Sequence, residues 1–172
     1  MSSTDSKVQQ KSEAARRARP FCYPQNVDVV ISAASSADVA AIKQLLEINE
    51  LPLEGVDDHW KTFVVAREGE ALVGCGGAEA YRNAALIRSI AVDPGYRNQG
   101  IARMIVRQLL DRLSSRGIRE FYLLTTTAQD YFKKRGFKKC DRDEVNPQLL
   151  ASHEFQDACP KTATVMRLVM QR

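Results

Sequence analysis

Cysteine and histidine are scarce in this 172-residue sequence, which contains four cysteines and two histidines. The cysteines are Cys22, Cys75, Cys140 and Cys159. They are scattered and form no CxxC pair, so the pattern predicts free thiols rather than a disulfide framework. His59 and His153 belong to no HxxxH or Cys/His cluster, and such clusters are what structural zinc sites require. We therefore expect no metal.

Long hydrophobic runs are also lacking, since no apolar stretch approaches the roughly 20 residues needed to span a bilayer. The first residues, MSSTDSKVQQKSEAARRARP, include basic side chains but no apolar segment behind them, unlike a secretory signal. These two absences predict a cytoplasmic protein with no membrane partner. Residues 1–26 are polar and without periodicity, which predicts a flexible tail ahead of one domain over 27–172.

Positive charge is in only slight excess, with a formal net charge of +4 and a pI near 8.9. Aromatic residues amount to 7% and are not interleaved with the basic ones. A dedicated nucleic-acid binder carries a stronger basic patch, so we expect a small-molecule partner instead of a nucleic acid. Composition leaves monomer and homodimer both open.

Hydrophobic periodicity predicts a single α+β domain with the element order β-α-β-β-β-α-β-α-β-α-β. Strands are predicted at 27–31, 60–66, 71–81, 86–92, 120–124, 137–140 and 162–170. Helices are predicted at about 39–49, 99–116, 128–135 and 145–155. The three strands from 60 to 92 have short connections and form an antiparallel meander, and the strand at 120–124, which follows a helix, runs parallel to its predecessor.

The turn GYRNQG, residues 95–100, lies between a strand and a helix, where unpaired backbone amides favour a phosphate. Its glycine spacing matches that of a P-loop. However, Ile101 and Ala102 stand where that motif needs lysine and a hydroxyl residue, which argues against a nucleotide triphosphatase. A second cluster, GCGG at 74–77, has no helix behind it and predicts close packing or a bulge rather than a dinucleotide site.

The segment RNQGIA, 97–102, fits the pattern R/Q-x-x-G-x-G/A, with SIAVDP ahead of it and YFKKRGF behind it. With these three segments in order, the chain resembles the GNAT superfamily of acetyl-CoA-dependent N-acetyltransferases over about 27–170. The resemblance implies an α+β fold, namely a single central mixed sheet flanked by helices. It also implies acetyl-CoA as co-substrate and requires no metal.

By this resemblance, the loop binds the CoA pyrophosphate through backbone amides and the Arg97 guanidinium, and Gly100 permits close approach because it lacks a Cβ. The strand before the loop binds pantetheine through its backbone. It separates there from the strand at 120–124 to admit the cofactor arm. The implied cofactor-binding residues are Ile90, Ala91, Val92, Arg97, Asn98, Gln99, Gly100, Ile101 and Ala102.

Acetyl transfer to an amine needs a proton acceptor and a group that protonates the leaving thiolate. Glu79, on the strand beside the cofactor strand, is the candidate base, either directly or through a water, and a structural ion pair with an arginine is its alternative. In many members of the family, a tyrosine that acts as the general acid stands at the position of Phe132. Here the tyrosine, and so the candidate acid, is Tyr131, one residue earlier. On a helix this step turns the side chain by about 100° from the position in those relatives. A role in packing alone is therefore the alternative for Tyr131.

Arg88 is the candidate ligand for a substrate carboxylate, with a salt bridge to a neighbouring strand as its alternative. Strand alternation predicts that the side chains of Arg88 and Ser89 lie on opposite faces.

Two longer segments, LLTTTAQDYFKKRGF and HEFQDACPKTATVM, resemble a subgroup of small N-acetyltransferases associated with arsenic resistance. The first also resembles N-acetylglutamate synthases. The acceptor implied is a small primary amine, with amino acids and arsenic-bearing analogues among the candidates. Two alternatives remain: a CoA-binding regulatory module without activity, and a thiol-based metalloid binder using Cys75, Cys140 and Cys159.

Overall fold

The computed structural model describes residues 28–152, 154–158 and 161–171. The predicted tail at 1–26 lies outside this part of the chain, as do Cys22, His153 and the Cys159-Pro160 pair. The strands are β1 (Val29–Ala33), β2 (Val64–Glu68), β3 (Ala71–Tyr81), β4 (Ala84–Val92), β5 (Glu120–Thr125), β6 (Lys138–Lys139) and β7 (Thr164–Val169). The α-helices are α1 (Val39–Ile48), α2 (Val56–His59), α3 (Ile101–Ser115) and α4 (Gln129–Lys133).

The described strands form one mixed sheet in the order β1-β2-β3-β4-β5-β7-β6. The predicted α+β class and the antiparallel meander of β2, β3 and β4 are confirmed. Strand β5 follows a helix and runs parallel to β4, as predicted. The two strands pair only where residues 84–86 face residues 120–122, and beyond that they separate. This opening in the middle of the sheet is the main feature of the fold for function.

Helices cover both faces of the sheet because strand side chains alternate between two apolar clusters. Helix α3 packs its buried stripe of Ile105, Leu109 and Leu113 on one face, together with Phe132 of α4. Helix α1 packs Ile42 and Leu46 on the opposite face. Within the described ranges, no helix combines the length and the apolar character that crossing a membrane requires.

Two predicted elements differ from those observed. Residues 60–62 form a 3₁₀ turn instead of the start of β2, and the backbone N–H of Phe63 closes this turn by donating to the Trp60 carbonyl (2.9 Å). Residues 145–152 and 154–155, the described part of the second predicted element, form no α-helix. The chain there makes 3₁₀ turns at Arg142–Glu144 and Pro147–Ala151, followed by a wider turn at Glu154–Ala158.

Strand β4 contains a bulge that shifts its alternation. Cys75 of β3 faces Ala91, whereas Gly77 faces Arg88, so β4 has one extra residue between these pairs. Ser89 has a φ of 56°, and its hydroxyl accepts a hydrogen bond from Nε of Arg88 (3.3 Å). The prediction that Arg88 and Ser89 point to opposite faces is therefore wrong, because alternation holds only in an unbroken strand.

The close packing predicted for the GCGG segment is confirmed. A Cβ at Gly74 would lie 2.9 Å from Cδ1 of Ile105, and one at Gly76 would lie 2.5 Å from Cγ2 of the same residue. These glycines lie under α3, so their missing side chains allow the helix to approach the sheet. The segment also pairs with the bulged part of β4. Close packing and a bulge, the two alternatives predicted for GCGG, therefore both occur here.

Asp38 caps the chain ahead of α1. Its carboxylate accepts hydrogen bonds from the backbone N–H (2.7 Å) and the hydroxyl (2.8 Å) of Ser35, and it pairs with the Arg67 guanidinium. Burial by itself would raise the pKa of Asp38, but the Ser35 hydrogen bonds and the Arg67 charge outweigh it. The pKa therefore lies below its usual value of 3.8.

Replacing Asp38 with asparagine is expected to lower the free energy of unfolding by about 1 kcal/mol at neutral pH, because the contacts with Ser35 and Arg67 lose their charged acceptor. A carboxyl with a lowered pKa in the folded state stabilises the protein above its unfolded pKa, and this contribution is lost as pH falls through the folded pKa. The gap between wild type and Asp38→Asn should therefore close below the usual value of 3.8. Urea unfolding across pH measures it, and a gap that persists in acid would contradict the assignment.

Candidate functional site

A cavity of about 400 Å³ occupies the opening between β4 and β5. It is lined by residues 87–90 of β4, residues 123–128 at and beyond the end of β5, and the side chains of Glu50, Phe132 and Glu154. Beyond residue 86, no described strand pairs with the edge of β4 that faces β5. We call this space the gap cavity. It provides an apolar slot bordered by unpaired strand backbone, which suits an extended amide-containing chain.

The turn between β4 and α3 is shaped by local hydrogen bonds and two left-handed residues. Asp93 accepts from the backbone N–H of Gly95 (2.8 Å), while Asn98 and Gly100 have φ values of 63° and 81°. The first intrahelical bond of α3 runs from the Met104 N–H to the Gly100 carbonyl (3.1 Å). The amides of residues 101–103 therefore have no intrahelical acceptor and are available to an anion.

A second cavity of about 440 Å³ lies over this turn, and we call it the loop cavity. Its described lining includes the guanidinium groups of Arg97, Arg103 and Arg135 and no carboxylate. Ile90 lines both the loop cavity and the gap cavity. One long ligand can thus place a polyanionic end at the arginines and its other end between the separated strands.

Tyr131 lies in the loop cavity, whereas its neighbour Phe132 lies in the gap cavity. The Tyr131 hydroxyl is buried and has no hydrogen-bond partner among the described groups. The Arg135 guanidinium stacks on its ring at 3.3 Å from the centroid. Burial raises the pKa of Tyr131, an effect that the charges of Arg135 and Arg103 only partly offset. The hydroxyl stays protonated at neutral pH and can donate to an anionic ligand.

Arg88 lies at the wall of the gap cavity and is almost fully buried, with 4% of its surface exposed. Its Nη1 pairs with the Glu79 carboxylate, and its Nη2 lies 3.1 Å from Oε1 of Glu154. Nη2 also donates to the Glu54 carbonyl. The pair with Glu79 is the salt bridge to a neighbouring strand that was foreseen as the alternative for Arg88, whereas the pair with Glu154 was not foreseen. Two carboxylates therefore share the Arg88 guanidinium.

Glu79 is buried behind Arg88 on β3 and does not line either cavity. Besides Arg88, its carboxylate accepts from the Tyr81 hydroxyl (2.8 Å), and His59 Nε2 lies 3.8 Å from its Oε2. Burial and the Glu79 carboxylate both raise the pKa of Tyr81. The structure therefore does not bring Glu79 and Tyr131, the two candidate catalytic residues, together around one space.

The cysteines do not form a thiol site within the described residues. Cys75 and Cys140 are free and buried in different apolar clusters. Burial raises the pKa of Cys75 to about 12, so its thiol stays protonated and unreactive at neutral pH. No group of three or more potential metal ligands occurs among the described side chains. These observations weigh against the metalloid-binder alternative for Cys75 and Cys140.

Among the charged residues of these cavities, sequence reasoning missed Arg103, Arg135, Glu50 and Glu154. The first two were discoverable, because Arg103 follows the loop motif directly and Arg135 lies one helical turn after Tyr131. Glu154 gave no signal of its own, since nothing in its neighbourhood predicts a contact with a distant strand.

Comparison with protein families and curated proteins identifies relatives of this chain. Residues 33–137 match the model of the acetyltransferase (GNAT) family. An uncharacterized N-acetyltransferase of Chlorobaculum tepidum is 29% identical over 153 residues, which cover 83% of this chain and 95% of that protein. An amino-acid acetyltransferase of Mycobacterium tuberculosis is 29% identical over 147 residues, covering 79% and 80% respectively.

Solved structures show the same fold. Rv2747 of Mycobacterium tuberculosis, crystallised in complex with CoA and NLQ, is 25% identical with a TM-score of 0.71. The match covers 83% of this chain and 99% of that one. N-acetylglutamate synthase of Neisseria gonorrhoeae, complexed with coenzyme A and N-acetyl-glutamate, has a TM-score of 0.74 at 21% identity. This match covers 86% of the present chain but 36% of the synthase, and at that identity it shows the fold alone.

Proposed function

Because this chain belongs to the GNAT family of acetyltransferases, we propose that its acceptor is a small primary amine of the amino-acid type. The proposal rests on the two cavities that meet at Ile90. Arginine side chains line the loop cavity, and the gap cavity is largely apolar with Arg88 and Glu154 in its wall. Relatives named amino-acid acetyltransferase support the acceptor class. An arsenic-bearing amino-acid analogue belongs to the same class, and the cytoplasmic location stays a prediction.

In this proposal the loop cavity holds the phosphates of acetyl-CoA. The amides of residues 98–102 and the guanidinium of Arg97 contact the pyrophosphate. Arg97 is held ready by a hydrogen bond from its Nη2 to Oδ1 of Asn49 (2.8 Å). Backbone groups of Ile90, Ala91 and Val92 bind the pantetheine arm, which enters the opening between β4 and β5.

The amine then attacks the thioester carbonyl in the gap cavity, displacing CoA thiolate as the amide forms. We propose that Glu79 accepts the proton through an intervening water, because it does not line the cavity itself. Phe132 lines the cavity at the position where many relatives carry a tyrosine. Its ring has no proton to give, so CoA leaves as the thiolate, and the proton that the amine loses passes to Glu79.

The decisive test has two stages. Acetyl-CoA should raise the melting temperature of the protein, and Arg97→Ala should weaken this effect about tenfold in the concentration required. Arg107→Ala is the matched control, since Arg107 is an exposed arginine on α3, the helix that follows the turn. Release of free CoA thiol is then measured with a panel of amino acids and simple amines. Stabilisation without release from any amine would favour the inactive CoA-binding module instead.

Tyr131 is proposed to bind cofactor phosphate rather than to protonate the thiolate. Replacing Tyr131 with phenylalanine removes one hydrogen bond to a charged group, so the KM for acetyl-CoA should rise about tenfold while kcat stays within about twofold. Steady-state kinetics across pH measures both constants. A large fall in kcat with a changed alkaline limb would restore Tyr131 as the acid.

A further inference from the structure

Glu50 has a backbone conformation that is unusual for its residue type. It follows the C-terminal end of α1, and its φ of 54° lies in the left-handed region. Its N–H donates to the Glu47 carbonyl (3.0 Å), and the next N–H, that of Leu51, donates to the Leu46 carbonyl (2.9 Å). These two bonds define a Schellman motif, in which the left-handed position is usually glycine and sometimes asparagine. A glutamate at this position is strained where glycine would be relaxed.

The strained positions of the described chain collect around the two cavities. Apart from glycines, the described residues with a positive φ are Glu50, Arg82, Ser89 and Asn98. Glu50 and Ser89 line the gap cavity, and Asn98 lines the loop cavity. Arg82 lines neither, since it lies in the turn between β3 and β4. Strained backbone persists mainly where the side chain is needed for function, so the conformation of Glu50 directs attention to what its side chain does in the gap cavity.

Glu50 brings to the gap cavity a carboxylate that has no described ionic partner. The charged residues of the described lining are Glu50, Arg88 and Glu154. Arg88 and Glu154 are paired with each other at 3.1 Å. The Glu50 carboxylate, by contrast, takes part in none of the ion pairs formed within the described chain. Glu50 is also exposed, so a ligand can reach it from solvent.

The neighbours of Glu50 fix its place beside the cavity. The Asn49 side chain donates to the Leu45 carbonyl (2.8 Å) and accepts from Nη2 of Arg97 (2.8 Å), which ties the end of α1 to the turn before α3. Leu51, on the other side, packs against the apolar cluster under α1 and lines the gap cavity. Because both neighbours are held, the backbone of Glu50 cannot leave the cavity without breaking these contacts.

We propose that Glu50 is the counter-ion for the ammonium group of the acceptor, and therefore a residue that determines acceptor specificity. The inference rests on the proposed function, in which the acceptor is an amine of the amino-acid type. Such an acceptor arrives with a positive ammonium group, and attack on the thioester again places positive charge on its nitrogen. The Glu50 carboxylate stabilises both charges. A glycine at this position would relax the backbone but would remove that carboxylate.

The test measures binding, so that it does not depend on turnover. L-Glutamine and glutaramate differ only in the ammonium group, which glutaramate lacks. Each compound is titrated calorimetrically into the full-length protein saturated with free CoA. Glu50→Gln should weaken the binding of L-glutamine about tenfold, because a hydrogen bond between charged groups is lost. Binding of glutaramate should stay the same or become tighter, because a negative charge near its carboxylate is removed.

A second variant, Glu50→Gly, separates the role of the carboxylate from that of the backbone. It should raise the melting temperature by about 2–4 °C, because glycine relaxes the left-handed position. It should nevertheless weaken L-glutamine binding as Glu50→Gln does.

Two variants outside the cavities serve as matched controls. Arg82→Gly relieves a left-handed position of φ 41° in the turn between β3 and β4, so it should raise the melting temperature and leave the binding of both probes unchanged. Glu47→Gln removes one negative charge from an exposed residue of α1 that lines neither cavity. It should also leave binding unchanged, which would exclude a general effect of net charge.

Three results would overturn the inference: an unchanged affinity of Glu50→Gln for L-glutamine, an equal weakening of both probes, or no binding of L-glutamine to the wild-type protein. A Glu50→Gly variant that is less stable than wild type would contradict the argument from strain. Failure of the proposed function gives a different pattern, in which the binding order is as expected and yet no amine releases CoA thiol from acetyl-CoA. Acetyl transfer with the same acceptor KM in wild type and Glu50→Gln would leave the function standing and remove the inference.

Discussion

Replacing Arg88 with methionine is expected to lower the free energy of unfolding by about 3–5 kcal/mol, because the change leaves Glu79 and Glu154 buried without their shared cation. Methionine keeps much of the side-chain volume, so the loss reports on charge rather than on a cavity. Urea unfolding at neutral pH measures the difference.

The matched control for this prediction is Arg167→Met. Arg167 lies 3.3 Å from the Glu120 carboxylate, but its side chain is 35% exposed, so its pair should contribute less than about 1 kcal/mol. Adding Glu79→Gln to Arg88→Met removes one of the two carboxylates that lost Arg88 and should recover part of the stability. Equal losses for Arg88→Met and Arg167→Met would contradict the description of a buried, two-carboxylate group.

Replacing Gly77 with alanine is expected to cost about 1–3 kcal/mol by overpacking. Gly77 lies on β3 opposite Arg88, and the ring of Phe63 fills the space that a Cβ would enter. Phe63 is fully buried in the cluster beneath α1, so it cannot move aside without disturbing other core side chains. Thermal or urea unfolding measures the loss.

A double variant identifies the cause of that loss. Phe63→Leu shortens the side chain that Gly77 accommodates, so Gly77→Ala should cost less in the Phe63→Leu background than in wild type. Gly95→Ala is a control outside the sheet, since the nearest atom to its added Cβ is Oδ1 of Asp93 at 3.2 Å. Simple additivity of Gly77→Ala and Phe63→Leu would show that their contact is not the source of the strain.

The arrangement of cavities also gives a physical reason why one site can serve both halves of the proposed reaction. The loop cavity concentrates three guanidinium groups and the amide-rich start of α3. The gap cavity instead carries the Glu154 and Glu50 carboxylates around a single guanidinium. An anionic cofactor is thus drawn to one end, and an acceptor that carries an ammonium group is drawn to the other. Ile90 lies where the two meet.

Much of the fold and part of the site were predictable because their causes are local in sequence. The meander of β2 to β4, the amphipathic stripe of α3 and the turn at residues 95–100 depend on alternation, helical spacing and glycine placement over a few neighbouring residues. The left-handed conformations of Asn98 and Gly100 belong to the same short segment. Where local signals conflicted, as at residues 60–62 and 145–155, turn hydrogen bonds overrode the apolar pattern.

The sequence by itself determined that this chain forms a mixed sheet and that a glycine-containing turn leads from its fourth strand into a helix, because consecutive residues encode both. Only the tertiary structure decided what surrounds that turn. The bulge in β4 turned Ser89 toward Arg88, α4 directed Tyr131 to the loop cavity and Phe132 to the gap cavity, and a distant turn brought Glu154 onto Arg88. Such placements depend on which distant segments pack together across the sheet, and the spacing of residues along the sequence does not determine that.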